Sequence, residues 1–256
     1  MDEITSRKNP LCVHIKKLGT SRGYREEHRE FLCDGVKMLE EAVKAGADIP
    51  AVLTASDLPP GLASDTRVYR AEREILDSLS PLKTAQDILF TCKMPEQTAF
   101  IKTAGIHILL DGIQDPGNVG TIIRTANAFG LKSVILTDGC ADLYNPKTMR
   151  ATMGAAFRQR VFYISDLLDL RGVNLIGAAL GPDCRDISEV SLKDAVIAIG
   201  SEGRGLSKEV LLMCKERVTI PIAAECESLN AAVAASILMW EAGRRRGHAS
   251  KLKVES

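Results

Sequence analysis

The sequence is short of the features that usually announce a nucleic-acid binder. Its 256 residues carry 33 basic and 33 acidic side chains, a net charge of zero, and aromatics make up only 4%. Overall charge points to no polyanionic partner, so only local clustering of lysine and arginine can make that case. Metal ligands are scarce as well. Seven cysteines (Cys12, Cys33, Cys92, Cys140, Cys184, Cys214, Cys226) lie scattered without a C-x-x-C pair, and His14, His28, His107 and His248 form no close-spaced set. That spacing suits neither a zinc site nor a disulfide framework; it reads as reduced cytosolic thiols used in packing, and no metal is expected. The longest apolar run, Ala231–Trp240, is about half of the ~20 residues a membrane span needs. The opening MDEITSRKNP is charged and has no apolar stretch, unlike a signal peptide. A cytoplasmic protein with no membrane association is the expectation. Repeats and low-complexity tracts are missing too. What is present is ordinary for a globular chain, 45% hydrophobic and 26% charged residues, enough for one large domain or two modest ones.

The pattern changes character near residue 95. Before it, a small α/β domain is expected over residues 1–95. Strands are predicted at Phe31–Cys33, Ala51–Thr54, Val68–Tyr69 and Ile88–Cys92, and helices at Val36–Lys44 and Glu72–Leu79. Val36, Leu39 and Val43 share one helical face, and Gly46 follows as a stop. The stretch from Met94 to Thr98 carries little apolar content, and a linker is placed at 96–104. From Ile106 a strand–helix alternation sets in over 105–256. Apolar runs at Ile106–Leu110, Ser133–Leu136, Val161–Tyr163, Asn174–Leu180 and Ala195–Ile199 are separated by helices at Asn118–Phe129, after Asn145-Pro146, and at Ser207–Cys214. A last helix runs from about Ser228 to Gly243. Continuous apolar strands separated by helices imply a parallel sheet covered on both faces, hence an α/β fold.

Three loops fall where apolar strands end, the edge at which open α/β sheets place ligands. The first is Asp115-Pro116-Gly117-Asn118-Val119-Gly120. Proline fixes the backbone, Asn118 suits a helix N-cap, and a helix N-terminus favours an anion such as an RNA phosphate. Arg124, six residues after Asn118, can face the same mouth; a plain structural turn with a surface arginine reads equally well. The second is Gly200-Ser-Glu-Gly-Arg-Gly205. A carboxylate on a loop meant for phosphate would repel it, so Glu202 argues against a dinucleotide-phosphate loop. The third runs from Ile220-Pro221 through Glu225 and Glu227 to Ser228-Leu229-Asn230, with Ser228 placed to cap the helix that follows.

Taken in order, these three segments resemble the signature motifs of the SpoU/TrmH-type RNA ribose 2′-O-methyltransferases, of the SPOUT superfamily. The resemblance implies a deep trefoil knot holding S-adenosylmethionine, a homodimer packed through the C-terminal domain, and RNA as substrate, ribosomal RNA ahead of tRNA. It assigns Asn118, Arg124, Glu202, Ser228 and Asn230 to catalytic and substrate positions. Gly200, Ile220, Leu229 and, more weakly, Ala179 match positions that contact the cofactor. One departure is Ala232, where the family usually has serine. An arginine base would be difficult, because guanidinium stays protonated to above about pH 12. The milder expectation is that Arg124 grips a phosphate bidentately, while Glu202, the phosphate or water takes the proton.

An RNA footprint is expected near the start of the chain. Arg7, Lys8, Lys16, Lys17, Arg22, Arg25 and Arg29 fall within 23 residues that hold only two acids, Glu26 and Glu27. On charge alone this reads equally as a solvated helix face or a flexible arm. The wording Ile4-Thr-Ser-Arg-Lys-Asn-Pro-Leu11 with Ile15-Lys-Lys-Leu18 resembles the opening of the substrate-binding domain found in many of these enzymes. With only Tyr24 and Phe31 nearby, phosphate and shape recognition is expected over base stacking. Arg244-Arg245-Arg246 either adds to it or complements a helix C-terminus. A non-catalytic RNA-binding or ribosome-assembly factor is the alternative of a different class; a Rossmann dehydrogenase is disfavoured because no G-x-G-x-x-G follows the first strand of the second half.

Overall fold

A computed structural model of the chain describes residues 2–81, 86–100, 103–223 and 225–247. Its first elements are β1 (Asp2–Ile4), α1 (Pro10–Thr20), α2 (Arg22–His28), β2 (Glu30–Asp34), α3 (Val36–Lys44), β3 (Ala51–Thr54), β4 (Arg67–Ala71), α4 (Arg73–Leu79) and β5 (Ile88–Lys93). Then come β6 (His107–Asp111), α5 (Pro116–Ala128), β7 (Ser133–Thr137), α6 (Pro146–Thr152), β8 (Val161–Ile164), β9 (Asn174–Ala178), β10 (Arg185–Asp186), β11 (Ala195–Gly200), α7 (Lys208–Met213), β12 (Glu216–Thr219) and α8 (Ala231–Gly247). Two compact units result: Met1–Glu96 with Asp142–Arg158, and Gln97–Ala141 with Gln159–Ser256.

The first unit is built on a mixed sheet in the order β1-β4-β3-β5-β2. β5 pairs antiparallel with both β2 and β3, whereas β1, β4 and β3 run parallel. The basic stretch, for which an arm was one reading, forms two capped helices. Asn9 accepts the Leu11 N–H at 2.9 Å and Pro10 opens α1, a combination that suits the first helical turn. Ser21 then accepts the Tyr24 N–H at 3.2 Å to start α2. Cys12, Ile15 and Leu18 turn one face of α1 into a core with Leu32, Leu53, Leu76 and Leu89.

The second unit holds a seven-stranded sheet in the order β10-β12-β9-β11-β6-β7-β8, parallel at every pairing. The apolar runs of the sequence become its central strands because no polar face is left on them: Ile108, Leu109, Leu110, Val134, Ile135 and Ile197 are all fully buried. From β6 the chain steps outward to β7 and β8, then returns to β9 on the far side of β11. Loops leaving β6 and β11 therefore diverge at one point of the C-terminal edge, where such sheets open a crevice. α8 packs against α5 and β11.

One segment departs from the simple alternation. Asp142–Arg158, placed by the sequence within 105–256, packs with the first unit. The Tyr144 ring lies 4.7 Å from Phe31, and Phe157 lies 6.3 Å from Phe31. Burial pushes the Tyr144 phenol up to about 12. Arg158 pairs with Glu41. Asn145 accepts the Lys147 N–H and Pro146 opens α6, in keeping with the cap-and-proline reading. Among the described residues no helix is long and apolar enough to cross a membrane.

Candidate active site

The first loop delivers Asn118 by a route different from the one its sequence suggests. α5 starts two residues earlier than expected, with Pro116 at its first position, and Asp115 is the cap: its Oδ1 accepts the Asn118 N–H at 2.8 Å. Asn118 therefore sits in the first turn with its amide side chain released from capping.

The third loop shows the converse. Ser228 is exposed and makes no hydrogen bond with a described residue. α8 begins at Ala231, and Asn230 is its cap, its Oδ1 accepting from the Ala232 N–H at 2.9 Å and the Val233 N–H at 3.3 Å. The expected Ser228 cap is thus corrected. An amide does both jobs at once, taking backbone donors on oxygen and offering its NH₂ elsewhere.

The second loop is a closed turn. Ser201 and Gly205 exchange backbone hydrogen bonds, Ser201 N–H to Gly205 O at 3.1 Å and Gly205 N–H to Ser201 O at 2.8 Å. A Cβ on Gly200 would lie 2.0 Å from the Gly205 carbonyl carbon, so only glycine fits there. The bend pushes Glu202 and Arg204 outward into solvent.

These three loops are stitched together by side chains. Asn230 Nδ2 donates to Asn118 Oδ1 at 3.1 Å, and Asn118 Nδ2 donates to Glu202 Oε1. The orientations are forced: helix N–H groups hold the Asn230 oxygen, so its nitrogen must face Asn118, whose own nitrogen then faces the carboxylate. A directed relay of dipoles runs from the α8 terminus to Glu202.

Beside this relay lies a cavity of about 340 Å³ at the C-terminal ends of β9, β11 and β12. Ala179, Gly200, Ile220 and Leu229, the four positions the family resemblance links to a cofactor, all line it, together with Glu202 and Ser228. Ala179 is fixed by its N–H to Val218 O at 2.9 Å. Arg124 stands exposed on α5, and its side chain has no hydrogen bond or ion pair to a described residue. Its guanidinium is thus available to an anion arriving from outside.

Asp111, at the end of β6, braces the site. Its Oδ2 accepts the Ser207 N–H at 2.7 Å and its Oδ1 accepts from Thr137 Oγ1 at 3.3 Å. It thereby ties the strand that feeds Asn118 to the segment that follows the Glu202 turn. An acidic residue ending an apolar strand is its signal in the sequence.

A model of the SpoU rRNA Methylase family matches residues 105–240, the segment that supplies every element of this site. The chain belongs to the SpoU rRNA methylase family. A second model, the MRM3-like substrate binding domain, matches residues 9–89. The chain is 34% identical to the 23S rRNA (guanosine(2553)-2′-O)-methyltransferase RlmP of Bacillus subtilis, across 94% of this chain and 98% of that protein. Its fold is similar to the AdoMet-bound rRNA methyltransferase of Sinorhizobium meliloti, with a TM-score of 0.85 and 27% identity over 95% of this chain and 98% of that one. It is also similar to the SpoU methyltransferase AviRb of Streptomyces viridochromogenes in complex with AdoMet, with a TM-score of 0.84 and 26% identity over 93% of this chain and 98% of that one.

In the substrate-domain unit of this SpoU-family chain, the basic candidates divide. Arg7, Lys8, Lys16 and Lys17 are exposed, and Arg22 is exposed while bonded to Glu26 at 2.7 Å. Arg25 is a correction. It is 2% exposed, holds Asp142 Oδ2 with two nitrogens at 2.6 and 3.1 Å, and gives a third bond to Leu18 O at 2.7 Å. Its donors are spent on the fold and face no solvent. Also unforeseen, Tyr24 lies 4.1 Å from the His28 ring and 5.5 Å from His14, with Lys17 Nζ 5.2 Å from its centre. Arg244 pairs with Glu241 at 2.7 Å; the side chains of Arg245 and Arg246 lie outside the described residues.

Proposed function

We propose that the chain transfers a methyl group from S-adenosylmethionine to a ribose 2′-hydroxyl of ribosomal RNA. The observation that carries this reading is the Asn230–Asn118–Glu202 relay standing beside the cavity of Ala179, Gly200, Ile220 and Leu229. The lining fits the cofactor. Apolar walls from Ala178, Leu180, Ile220 and Leu229 suit an adenine ring, the Gly200–Ser201 backbone offers polar edges without side-chain bulk, and the Glu202 carboxylate attracts a cation. When bound, S-adenosylmethionine supplies the methyl group as an electrophile on a sulfonium sulfur.

The residues of this chain supply alignment and proton removal. Arg124, its side chain unpaired among the described residues and carried on α5 six residues after Asn118, grips the phosphate beside the target ribose through two parallel N–H donors. Asn118 and Asn230, locked in one orientation, fix the Glu202 carboxylate. Glu202 would take the proton of the 2′-hydroxyl as the oxygen–methyl bond forms and the sulfur–methyl bond breaks, leaving the cofactor as its neutral thioether. Arg124 positions the substrate and takes no part in the proton transfer.

In this reading residues 1–95 bind RNA through phosphate contacts from Arg7, Lys8, Lys16, Lys17 and Arg22, 96–104 link, and 105–256 carry the methyltransferase with a deep trefoil knot. The protein acts in the cytoplasm as a homodimer through the C-terminal domain. Val233 and Trp240, about half exposed on α8, support an interface there. Incubation with labelled S-adenosylmethionine and total RNA, followed by size fractionation, tests the substrate. Label in ribosomal RNA is expected. Label confined to tRNA overturns the choice of RNA, and no label together with no calorimetric uptake of S-adenosylhomocysteine overturns the enzyme.

A further inference from the structure

A second cavity, of about 460 Å³, opens at the opposite edge of the seven-stranded sheet, where β6, β7 and β8 begin. Its wall includes Lys132, Arg160, His107, Ser133, Thr103 and Phe162, with no acidic residue among the described lining residues. Both cations are exposed at the rim, and neither side chain makes a hydrogen bond or ion pair with a described residue. The Lys132 stem is held in place by packing over Gly105, where a Cβ would come within 2.7 Å of it. Asp194, the nearby acid, is committed elsewhere: it accepts the Gly105 N–H at 2.6 Å.

The floor is polar but organised. His107 is 2% exposed, its Nε2 lies 3.0 Å from Thr103 O and its Nδ1 lies 2.7 Å from Ser133 Oγ. A carbonyl can only accept, so Nε2 carries the hydrogen, and in the neutral ring Nδ1 accepts from the Ser133 hydroxyl. Phe100 stands edge-on between His107 and Phe162, each 5.6 Å away. An aromatic wall thus borders a pocket rimmed by two cations.

The C-terminal end of α5, close before Lys132, contributes roughly half a negative charge at this edge. One cation there would do no more than complement the helix. Two full cations with no carboxylate among the described lining residues leave a net positive recess. We propose that this cavity binds the phosphate of a nucleotide, with Lys132 and Arg160 holding the oxygens and Phe162 against the base. Arg160 can take two oxygens in parallel and Lys132 acts as a point charge. The phosphate can belong to a free nucleotide or to a nucleotide within an RNA strand. The site stands apart from the methyl-transfer reading, because no residue of the relay or of the first cavity contributes to it.

Calorimetry on the full chain tests it, with S-adenosylhomocysteine present in excess to fill the other cavity. The probes are uridine 5′-monophosphate, uridine and a uridine tetranucleotide. Saturable uridine monophosphate binding with a Kd on the order of 0.1–1 mM is expected, with none for uridine. A Lys132→Gln/Arg160→Gln variant that still takes up S-adenosylhomocysteine should bind the nucleotide at least about tenfold more weakly. Tetranucleotide binding lost in the same variant, with the monophosphate silent, assigns the site to RNA phosphate. If neither phosphate probe binds, or both bind the variant as tightly as the native chain, the proposal is overturned.

Discussion

The two units use polar side chains in opposite ways. In the first, charged groups are sunk into the fold. Arg25 and Asp142 form a nearly buried pair, and Glu30, 6% exposed, takes Lys93 at 2.8 Å and His14 at 3.2 Å. In the second, the central strands are filled mainly by apolar side chains, buried polar residues such as His107 and Ser133 stand at strand starts, and the polar groups of the candidate site sit at the solvent-facing ends of the strands. A buried charge is costly to leave alone, whereas an exposed one contributes little to stability. Polar substitutions should therefore damage folding in the first unit and chemistry in the second.

Arg25→Ala is the strongest test of that contrast. It leaves the Asp142 carboxylate without its partner in a nearly dry site and should cost about 3–5 kcal/mol of stability. The Arg25→Ala/Asp142→Ala double variant should recover part of that loss, read by denaturant unfolding. Arg124→Ala lies at the other pole. With no partner to lose, its unfolding midpoint should stay put, while methyl transfer should fall on the order of 10²–10³-fold, as when an electrostatic contact to the reacting substrate is removed. A stability loss without an activity loss would break the division between the units.

Asn230 sharpens the contrast because it serves both purposes. Asn230→Ala removes the α8 cap and should cost about 1 kcal/mol as well as activity. Asn230→Asp keeps an oxygen for the Ala232 and Val233 N–H groups but has no NH₂ for Asn118. It should hold the native unfolding midpoint and still lose activity.

The smallest effect concerns Glu30. Burial works to raise its carboxyl, but hydrogen bonds from Lys93 and His14 outweigh it, and the net shift is below the ordinary 4.5. A depressed folded-state value means the contribution is fully present above the unfolded value and is lost as pH falls through the folded one. The thermal midpoint should decline below about pH 4.5, and Glu30→Gln should flatten that decline.

Much of the architecture was legible because apolar runs announce parallel strands without help from context. β3, β6, β7, β9 and β11 lie where uninterrupted Val, Ile, Leu and Ala stretches put them. What was not legible depended on partners distant in sequence. α1 and α2 hide under a high charge density, since only Cys12, Ile15 and Leu18 mark the buried face. Asp142–Arg158 joins the first unit through Phe31 and Glu41, more than a hundred residues away. Arg25 looked like one more surface cation until Asp142 arrived beside it. The caps show the same limit at short range: Asp115, Asn118, Ser228 and Asn230 can all cap a helix, and the Asn118 side chain is instead held by Glu202, across 84 residues.

The most direct test follows the methyl group to its atom. Ribosomal RNA incubated with the protein and methyl-labelled S-adenosylmethionine would be digested to nucleosides and separated. The account predicts label in a 2′-O-methylated nucleoside, lost when Arg124 is replaced by alanine. Label on a base, or in ribose at an undiminished rate with Arg124→Ala, would contradict it.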